Sequence, residues 1–274
     1  MSAKENEFIC LIKEWIHTIT LRPLTPNKPY VITSSPEPYV NEQLESYSDS
    51  EIDYIYKIFN LLRLFKDGNI GFKEIFIKHS YSAYGLIDQN FNIKSVNENR
   101  NLADIKIFSL APNEVSSCND FLQKYCSKPY DFLKPCIDKF MWGMDLDTST
   151  GFEQFASTLE MLLLNKNEQN KKEKLSKRVA VLLGTDSSNI TSLYHKMKSF
   201  YKYRSESIHE GITNNINVLV YAELKEIVRS VLKKYLQICY TNLISKSHIT
   251  WPSIKRSTIT YLKNEVDLKS LLFI

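Results

Sequence analysis

Apolar residues recur at helical spacing throughout the second half of this chain. The longest run covers residues 215–239, where a wide apolar stripe occupies one side of the predicted helix. The same pattern predicts further helices over residues 119–125, 134–144, 152–163, 175–183 and 188–203. Because each stripe must be buried against a neighbour, the sequence predicts a helical bundle and a mainly α fold.

Short polar motifs mark where these helices are expected to begin and end. Thr150 with Glu153 has the spacing of a capping box, and Gly184 is a natural stop for the helix over 175–183. Nearer the start of the chain, Ser48 with Glu51 predicts the first residues of an amphipathic helix that ends before Gly68.

The first 110 residues have a mixed pattern. Two segments, 72–78 and 105–110, alternate in the manner of strands, and a further short strand is expected around Val31. Residues 88–92 have turn composition, and the apolar spacing over 8–19 indicates a short helix. We therefore expect a small mixed α+β region before the helical bundle.

The chain is accordingly divided into three parts. Residues 1–110 form the α+β region of unknown role, residues 111–245 form the helical domain, and residues 246–274 form a C-terminal extension. A chain of 274 residues is long enough for one large domain or two modest ones, each with its own core.

Basic residues cluster locally although the formal net charge is only +4. Lys196, Lys198 and Lys202 alternate with aromatic residues, among them Tyr201 and Tyr203. Basic side chains that alternate with aromatic rings are suited to tracking a phosphate backbone and stacking on bases, so these lysines are candidate RNA contacts. The alternative is an ordinary solvated helix face whose tyrosines pack in the core.

The sequence indicates a cytoplasmic protein that works without a cofactor. Its five cysteines are scattered and odd in number, which fits a reducing compartment. We find no signal-peptide pattern and no uncharged apolar run long enough for a membrane span. Neither metal-ligand spacing nor a glycine-rich phosphate loop is present, so we expect no metal and no nucleotide cofactor.

The residues with the clearest chemical potential are Arg204 and His209. Histidine takes and gives protons near neutral pH, and arginine presents a permanently charged planar fork that suits phosphate. A proton-transfer group beside a phosphate-binding group is the minimum needed to cleave a phosphodiester. The pattern places the pair between two predicted helices, the first ending at residue 203 and the next beginning near 215.

Neighbouring residues are assigned supporting roles, each with a structural alternative. Ser205 and Ser207 are expected to hydrogen-bond a phosphate or, more in keeping with their type, to cap the following helix. Glu160 lies on an apolar helix, where it would orient Arg204 or His209, or instead form a buried ion pair with Arg178.

The order of short motifs resembles the HEPN superfamily, and within it the ApeA-like HEPN branch. The matching elements are Leu159-Glu160, the Lys-Arg-Val-Ala run at 177–180, Leu182-Leu183-Gly184, Tyr203-Arg204-Ser205, Ile208-His209 and Gly211. The similarity covers about residues 115–245, and residues 58–68 also look like the region that precedes HEPN in such proteins. Glu210 stands where the family more often has glycine.

The resemblance implies a helical bundle that forms a homodimer, with the Arg-x4-His motif near the two-fold axis. It also implies a metal-independent endoribonuclease, of the kind found in phage defence and toxin–antitoxin systems, although other members are non-catalytic binding modules. Residues 1–110 would then regulate the nuclease or recognise a trigger, which implies a regulatory protein partner.

Helix geometry adds a constraint on this motif. Residues five apart on an α-helix are separated by about 500°, so the two side chains would point roughly 140° apart. Either a helix begins between Arg204 and His209, or a partner chain completes the site. Three interpretations remain open: an RNA-cleaving effector, a non-catalytic HEPN-fold module, and a structural role in which Arg204 pairs with Glu160 or Glu206 and His209 caps a helix.

Overall fold

A computed structural model describes much of the backbone and the side chains of the helical part. Described backbone covers residues 20–22, 31–34, 41–68, 70, 74–79, 90–94, 108–245 and 249–273, and described side chains cover residues 53–68, 70, 108–245 and 249–273. The described residues are mainly helical. Those up to Gln123 belong to one compact unit, and those from Lys124 onward belong to a second.

The first unit contains a four-stranded sheet in chain order. Its strands are β1 (Thr20–Arg22), β2 (Val31–Ser34), β3 (Glu74–His79) and β4 (Asn90–Lys94). The pair β2–β3 is parallel, whereas β1–β2 and β3–β4 are antiparallel, with Phe76 opposite Asn92.

The structure departs from one turn prediction and from part of one strand prediction in this region. The turn expected at 88–92 is replaced by β4, because Phe91 and Ile93 alternate with polar residues and pair with β3. The strand expected over 105–110 is absent from its described part, residues 108–110. The predicted helix over 8–19 lies outside the described residues.

Helix α1 runs from Asn41 to Phe65, so it begins seven residues before the predicted capping box. Ser48 and Glu51 therefore lie inside the helix, since the residues before them include good helix formers and the chain contains no breaker there. The predicted stop is close to the observed end, and Gly68 permits a tight approach: a Cβ there would lie 2.5 Å from the Phe108 Cα.

Helix α2 and the second unit supply the remaining helices. They are α2 (Val115–Tyr125), α3 (Lys128–Asp145), α4 (Thr148–Leu163), α5 (Lys171–Leu183), α6 (Ser187–Glu210), α7 (Val218–Ser245) and α8 (Trp251–Leu268), followed by a short 3-10 turn over Ser270–Phe273. Among the described residues, none of the helices has the length and apolar character needed to cross a bilayer.

Helix α4 lies at the centre of the second unit and packs against α3, α5, α6, α7 and α8. Its predicted apolar stripe is fully buried at Phe152, Phe155, Leu159, Leu162 and Leu163. Burial of a large apolar side chain is worth about 2 kcal/mol, so this stripe is a major source of the unit's stability. The prediction of a helical bundle over this part of the chain is confirmed.

The long stripe predicted over 215–239 is buried from Leu224 onward. Val228, Val231, Leu232 and Tyr235 of α7 are inaccessible to solvent, and the Tyr235 hydroxyl donates to the Leu162 carbonyl at 2.9 Å. Helix α8 adds Ile254 and other apolar residues to the same core. The described part of residues 246–274, which the sequence analysis treats as a C-terminal extension, therefore packs within this unit.

The cap of α4 differs from the predicted one. Asp147 precedes the helix in an extended conformation and its carboxylate accepts from the backbone N–H groups of Ser149 and Thr150, both at 3.0 Å. Hydrogen bonds with the Thr150 side chain and with these backbone N–H groups lower the pKa of Asp147. A carboxylate is preferred at a helix N-terminus because it meets unpaired N–H groups and the positive end of the dipole.

A buried ion pair holds the segment between α4 and α5. Arg178 donates to both carboxylate oxygens of Glu168, at 2.5 and 2.8 Å, and to the Leu163 carbonyl at 2.6 Å. The side chains of Arg178 and Glu168 are only 3% and 6% exposed. The predicted alternative in which Glu160 pairs with Arg178 is therefore wrong, since the guanidinium is already occupied by Glu168.

This pair makes the unit sensitive to acid. Hydrogen bonds from Arg178 outweigh burial and lower the pKa of Glu168 from 4.5 to about 2. A carboxylate with a depressed pKa stabilises the fold fully above its unfolded pKa, and that contribution is lost as the pH falls from 4.5 towards 2.

We expect Glu168→Gln to lower the free energy of unfolding at neutral pH by about 3 kcal/mol, because it leaves Arg178 buried without a counter-charge. Urea denaturation between neutral pH and pH 2 would measure this loss. As the pH falls from 4.5 towards 2, the variant's free energy of unfolding should also decrease less steeply than that of the wild type. Asp138→Asn, which removes an exposed pair with Lys134, is the control and should cost less than about 1 kcal/mol. Parallel pH profiles for wild type and Glu168→Gln would contradict the assignment.

Candidate functional site

The Arg-x4-His motif lies on one continuous helix. Helix α6 extends through Glu210, so the expectation that it ends at residue 203 and leaves the motif between two helices is wrong. Residues 204–210 contain neither glycine nor proline, and the first stop is Gly211, which adopts a left-handed conformation with φ 68°. The Gly211 N–H donates to the Ser207 carbonyl at 3.1 Å and closes the final turn.

The continuous helix separates the two motif side chains. Arg204 and His209 project about 140° apart around the axis of α6. Arg204 faces α4 and is half-buried, whereas His209 is exposed in the last turn. Of the two alternatives drawn from the sequence, a helix beginning between Arg204 and His209 is therefore excluded.

Glu160 of α4 holds Arg204. The Arg204 Nη1 lies 3.2 Å from the Glu160 Oε1, with side chains 21% and 19% exposed. The guanidinium also lies 5.8 Å from the centre of the Tyr201 ring, and burial together with the negative charge of Glu160 raises the pKa of the Tyr201 hydroxyl. The structure thus brings together three predicted site residues, Glu160, Tyr201 and Arg204.

One donor of Arg204 has no acceptor among the described residues. Its Nε is buried and makes no hydrogen bond, and the guanidinium reaches Glu160 through Nη1. The Glu160 Oε1 likewise has no hydrogen bond among the described residues, so Glu160 orients Arg204 as an ion pair.

The two motif serines do not cap a following helix, because both lie inside α6. Ser205 is half-buried, and Ser207 is buried with its hydroxyl donating to the Glu153 Oε1 at 2.6 Å. The Ser149 hydroxyl is 3.4 Å away. This contact ties the last turn of α6 to the first turns of α4. The sequence identified Glu153 only as part of a capping box, so the cross-helix contact was missed.

Each lysine that the sequence assigned to RNA has a carboxylate beside it. Lys196 lies 3.2 Å from Glu223, Lys198 lies 3.5 Å from Glu173, and Lys202 lies 3.4 Å from Glu206. Tyr203 is half-buried on the same helix. The candidate RNA-binding face is therefore balanced in charge rather than strongly basic.

Four exposed apolar side chains lie close to His209 in the sequence, and the sequence pattern did not predict that they are exposed. They are Ile208 and Ile212 around the end of α6, and Val218 and Leu219 in the first turn of α7. We call these four residues the apolar cluster. Leu219 was predicted to face the core but is 76% exposed, because the buried stripe of α7 begins only at Leu224.

Among the described side chains, no group of three or more His, Cys, Asp or Glu residues could hold a metal ion. Comparisons with known proteins returned no matching family model, no matching curated protein and no matching solved structure. The resemblance to HEPN proteins therefore stays a prediction from the motifs of this chain.

We expect the contact between Arg204 and Glu160 to contribute modestly to stability. A double-mutant cycle with Arg204→Ala and Glu160→Ala, measured by urea denaturation, should give a coupling energy of about 1 kcal/mol. The value is small because both side chains remain partly solvated. A coupling near zero would mean that Glu160 does not orient Arg204 in solution. A cycle between Arg204 and Asp138, which lies on α3 and pairs with Lys134, supplies the control.

Proposed function

We propose that this chain is a metal-independent endoribonuclease of HEPN type that acts as a homodimer. The observation that carries the proposal is the exposed His209 at the end of α6, five residues after an arginine oriented by Glu160. One group is free to exchange protons with a substrate, and the other is suited to stabilising phosphate charge. The fold expected from the motifs, a helical bundle, agrees with this interpretation.

A second copy of the chain would supply what one copy lacks. Cleavage by the ribose 2′-hydroxyl needs one base and one acid, and a single histidine does not occupy both protonation states at once. Two His209 side chains related by a two-fold axis meet this requirement. The apolar cluster, which lies within residues 208–219 and therefore close to His209 in the sequence, supports this arrangement, because exposed apolar side chains favour association.

The reaction then follows from the roles of the two residues. One His209 takes the proton of the 2′-hydroxyl, whose oxygen attacks the adjacent phosphorus. The second His209 protonates the departing 5′-oxygen, and Arg204 from one or both copies stabilises the charge that develops on the phosphorane. The products carry a 2′,3′-cyclic phosphate and a 5′-hydroxyl.

Purified wild-type protein is expected to cleave a mixed pool of tRNA and mRNA in the presence of EDTA. His209→Ala should reduce the rate by 10²-fold or more, on the order of the contribution of general acid–base catalysis, and Arg204→Ala should cause a comparable loss. Gel analysis and end-group mapping would measure the rates and the termini. His195→Ala, which changes an exposed histidine elsewhere on α6, should leave the rate unchanged. Equal cleavage of DNA, which lacks the 2′-hydroxyl, would refute the mechanism.

Dimerisation is expected to depend on the apolar cluster. Light scattering should give twice the chain mass of 32.0 kDa for wild type, and Leu219→Asp should weaken association by about tenfold or more, which is about 1.4 kcal/mol. Leu271→Asp is the matched control, because Leu271 is 83% exposed but lies far along the chain in the final 3-10 turn. Unchanged association of Leu219→Asp would place the dimer contact elsewhere.

A non-catalytic HEPN-fold module is the second candidate. Two observations favour it: the charge-balanced face of α6, and Glu210, which adds a carboxylate directly after His209. A dimer that binds a partner but cleaves no RNA under any tested condition would support this alternative.

The biological setting belongs to the same proposal. The similarity to ApeA-like proteins suggests phage defence or a toxin–antitoxin role in the cytoplasm, with residues 1–110 as a mixed α+β region that recognises a trigger or a regulatory protein. A pull-down with residues 1–110 fused to an affinity tag, from cells before and after phage infection, would look for such a partner.

A further inference from the structure

One face of α6 aligns two lysines with the motif histidine. A stripe about 60° wide contains Lys198, Lys202, Ser205 and His209. The last three follow Lys198 by four, seven and eleven residues, which are close to whole helical turns. The stripe rises about 16 Å along the axis from Lys198 to His209. Arg204 lies outside it and faces α4. The stripe is therefore a linear series of cationic and polar groups that ends at the exposed histidine.

Both lysines of the stripe are already in contact with carboxylates. The Lys202 Nζ lies 3.4 Å from the Glu206 Oε1, and the Lys198 Nζ lies 3.5 Å from the Glu173 Oε2. Lys198 also donates to the Tyr194 hydroxyl at 3.0 Å. An anion that approaches the stripe therefore meets two cations whose charge is matched by glutamates.

The two carboxylates are held in place by further contacts. The Glu206 Oε2 accepts from the Asn215 side-chain amide at 3.0 Å. The Glu173 Oε1 accepts from the Tyr194 hydroxyl at 2.7 Å and lies 3.0 Å from the Lys177 Nζ. Because each glutamate has a second partner, it does not swing away freely when its lysine turns towards a ligand.

From this arrangement we infer that Glu173 and Glu206 compete with RNA phosphates for the lysine stripe, and that the ligand of the stripe is a single RNA strand rather than a mononucleotide. The inference rests on the proposed function and adds to it a substrate class and a threshold for binding. A mononucleotide phosphate replaces the carboxylate at only one lysine. A strand supplies phosphates to both lysines, and it loses its translational freedom only once on binding.

The free energy needed to displace the two carboxylates is modest. Exposed ion pairs contribute little individually and are screened by salt, so a strand with successive phosphates is able to displace them. The stripe then directs the strand along α6 towards His209. Without displacement, the balanced charges give the face little long-range attraction for nucleic acid.

The test compares RNA affinity after each carboxylate is replaced by its uncharged isostere. The full-length chain with His209→Ala serves as the background, so that the probe is not consumed. Glu173→Gln, Glu206→Gln and the double variant are titrated against a labelled single-stranded RNA oligonucleotide by fluorescence anisotropy at several salt concentrations. Asp138→Asn is the matched control, because it makes the same charge change at an exposed lysine pair on α3.

Each glutamine variant is expected to bind the oligonucleotide about fivefold more tightly at low salt, and the double variant more tightly still. The slope of log affinity against log salt should steepen by about 0.7 for each lysine released, since each additional phosphate contact displaces counterions. Affinity for a labelled mononucleotide should change less than twofold. Adding Lys198→Gln and Lys202→Gln should abolish the gain. Thermal melting is the check that each variant is folded.

Several outcomes would overturn the inference. An equal gain for Asp138→Asn would show a net-charge effect, and an unchanged salt slope would show that no lysine was released. Competition by polyglutamate as effective as that by RNA would indicate a docking surface for an acidic protein segment. If wild type cleaves RNA while the glutamine variants bind no more tightly, this inference fails and the proposed nuclease stands. If no variant binds RNA and wild type cleaves none, both fail.

Discussion

The burial of α4 is the constraint on which the rest of the helical unit depends. Phe152, Phe155 and Leu159 are fully buried, and the helix is in contact with five others. The polar side chains of α4 then determine which side chains of α6 are held against it. Glu160 receives Arg204, and Glu153 receives the hydroxyl of Ser207, so α6 is attached to α4 at two points along its last two turns.

This attachment has a direct consequence for the chemistry of the motif. Because α6 continues unbroken to Glu210, Arg204 is turned towards α4 while His209 is left in solvent. One copy therefore offers an oriented arginine and a separate exposed histidine rather than a closed active site. The exposed apolar cluster, which lies close to His209 in the sequence, supports the pairing of two copies in the proposed nuclease.

Several features were predictable from the sequence because they depend on local pattern. The buried stripes of α4 and α7 and the end of α5 at Gly184 follow from apolar spacing and from the preference of glycine at helix ends. The cap of α4 was misassigned because Asp147 and Thr150 are both suitable capping residues, and only the backbone conformation distinguishes them. The end of α6 was placed too early because polar residues 204–207 resemble a loop when their partners on α4 are unknown.

By itself the sequence determined that the second half of the chain forms a helical bundle, since apolar periodicity records which face of each helix avoids water. It also determined that Arg204 and His209 diverge if one helix carries both, because the angle per residue is a property of the helix. Only the tertiary structure decided that Glu160 pairs with Arg204 rather than Arg178, and that each candidate RNA-binding lysine has a glutamate beside it. The physical reason is that most of these pairs join residues of different helices, and which charges meet there depends on packing rather than on spacing along the chain.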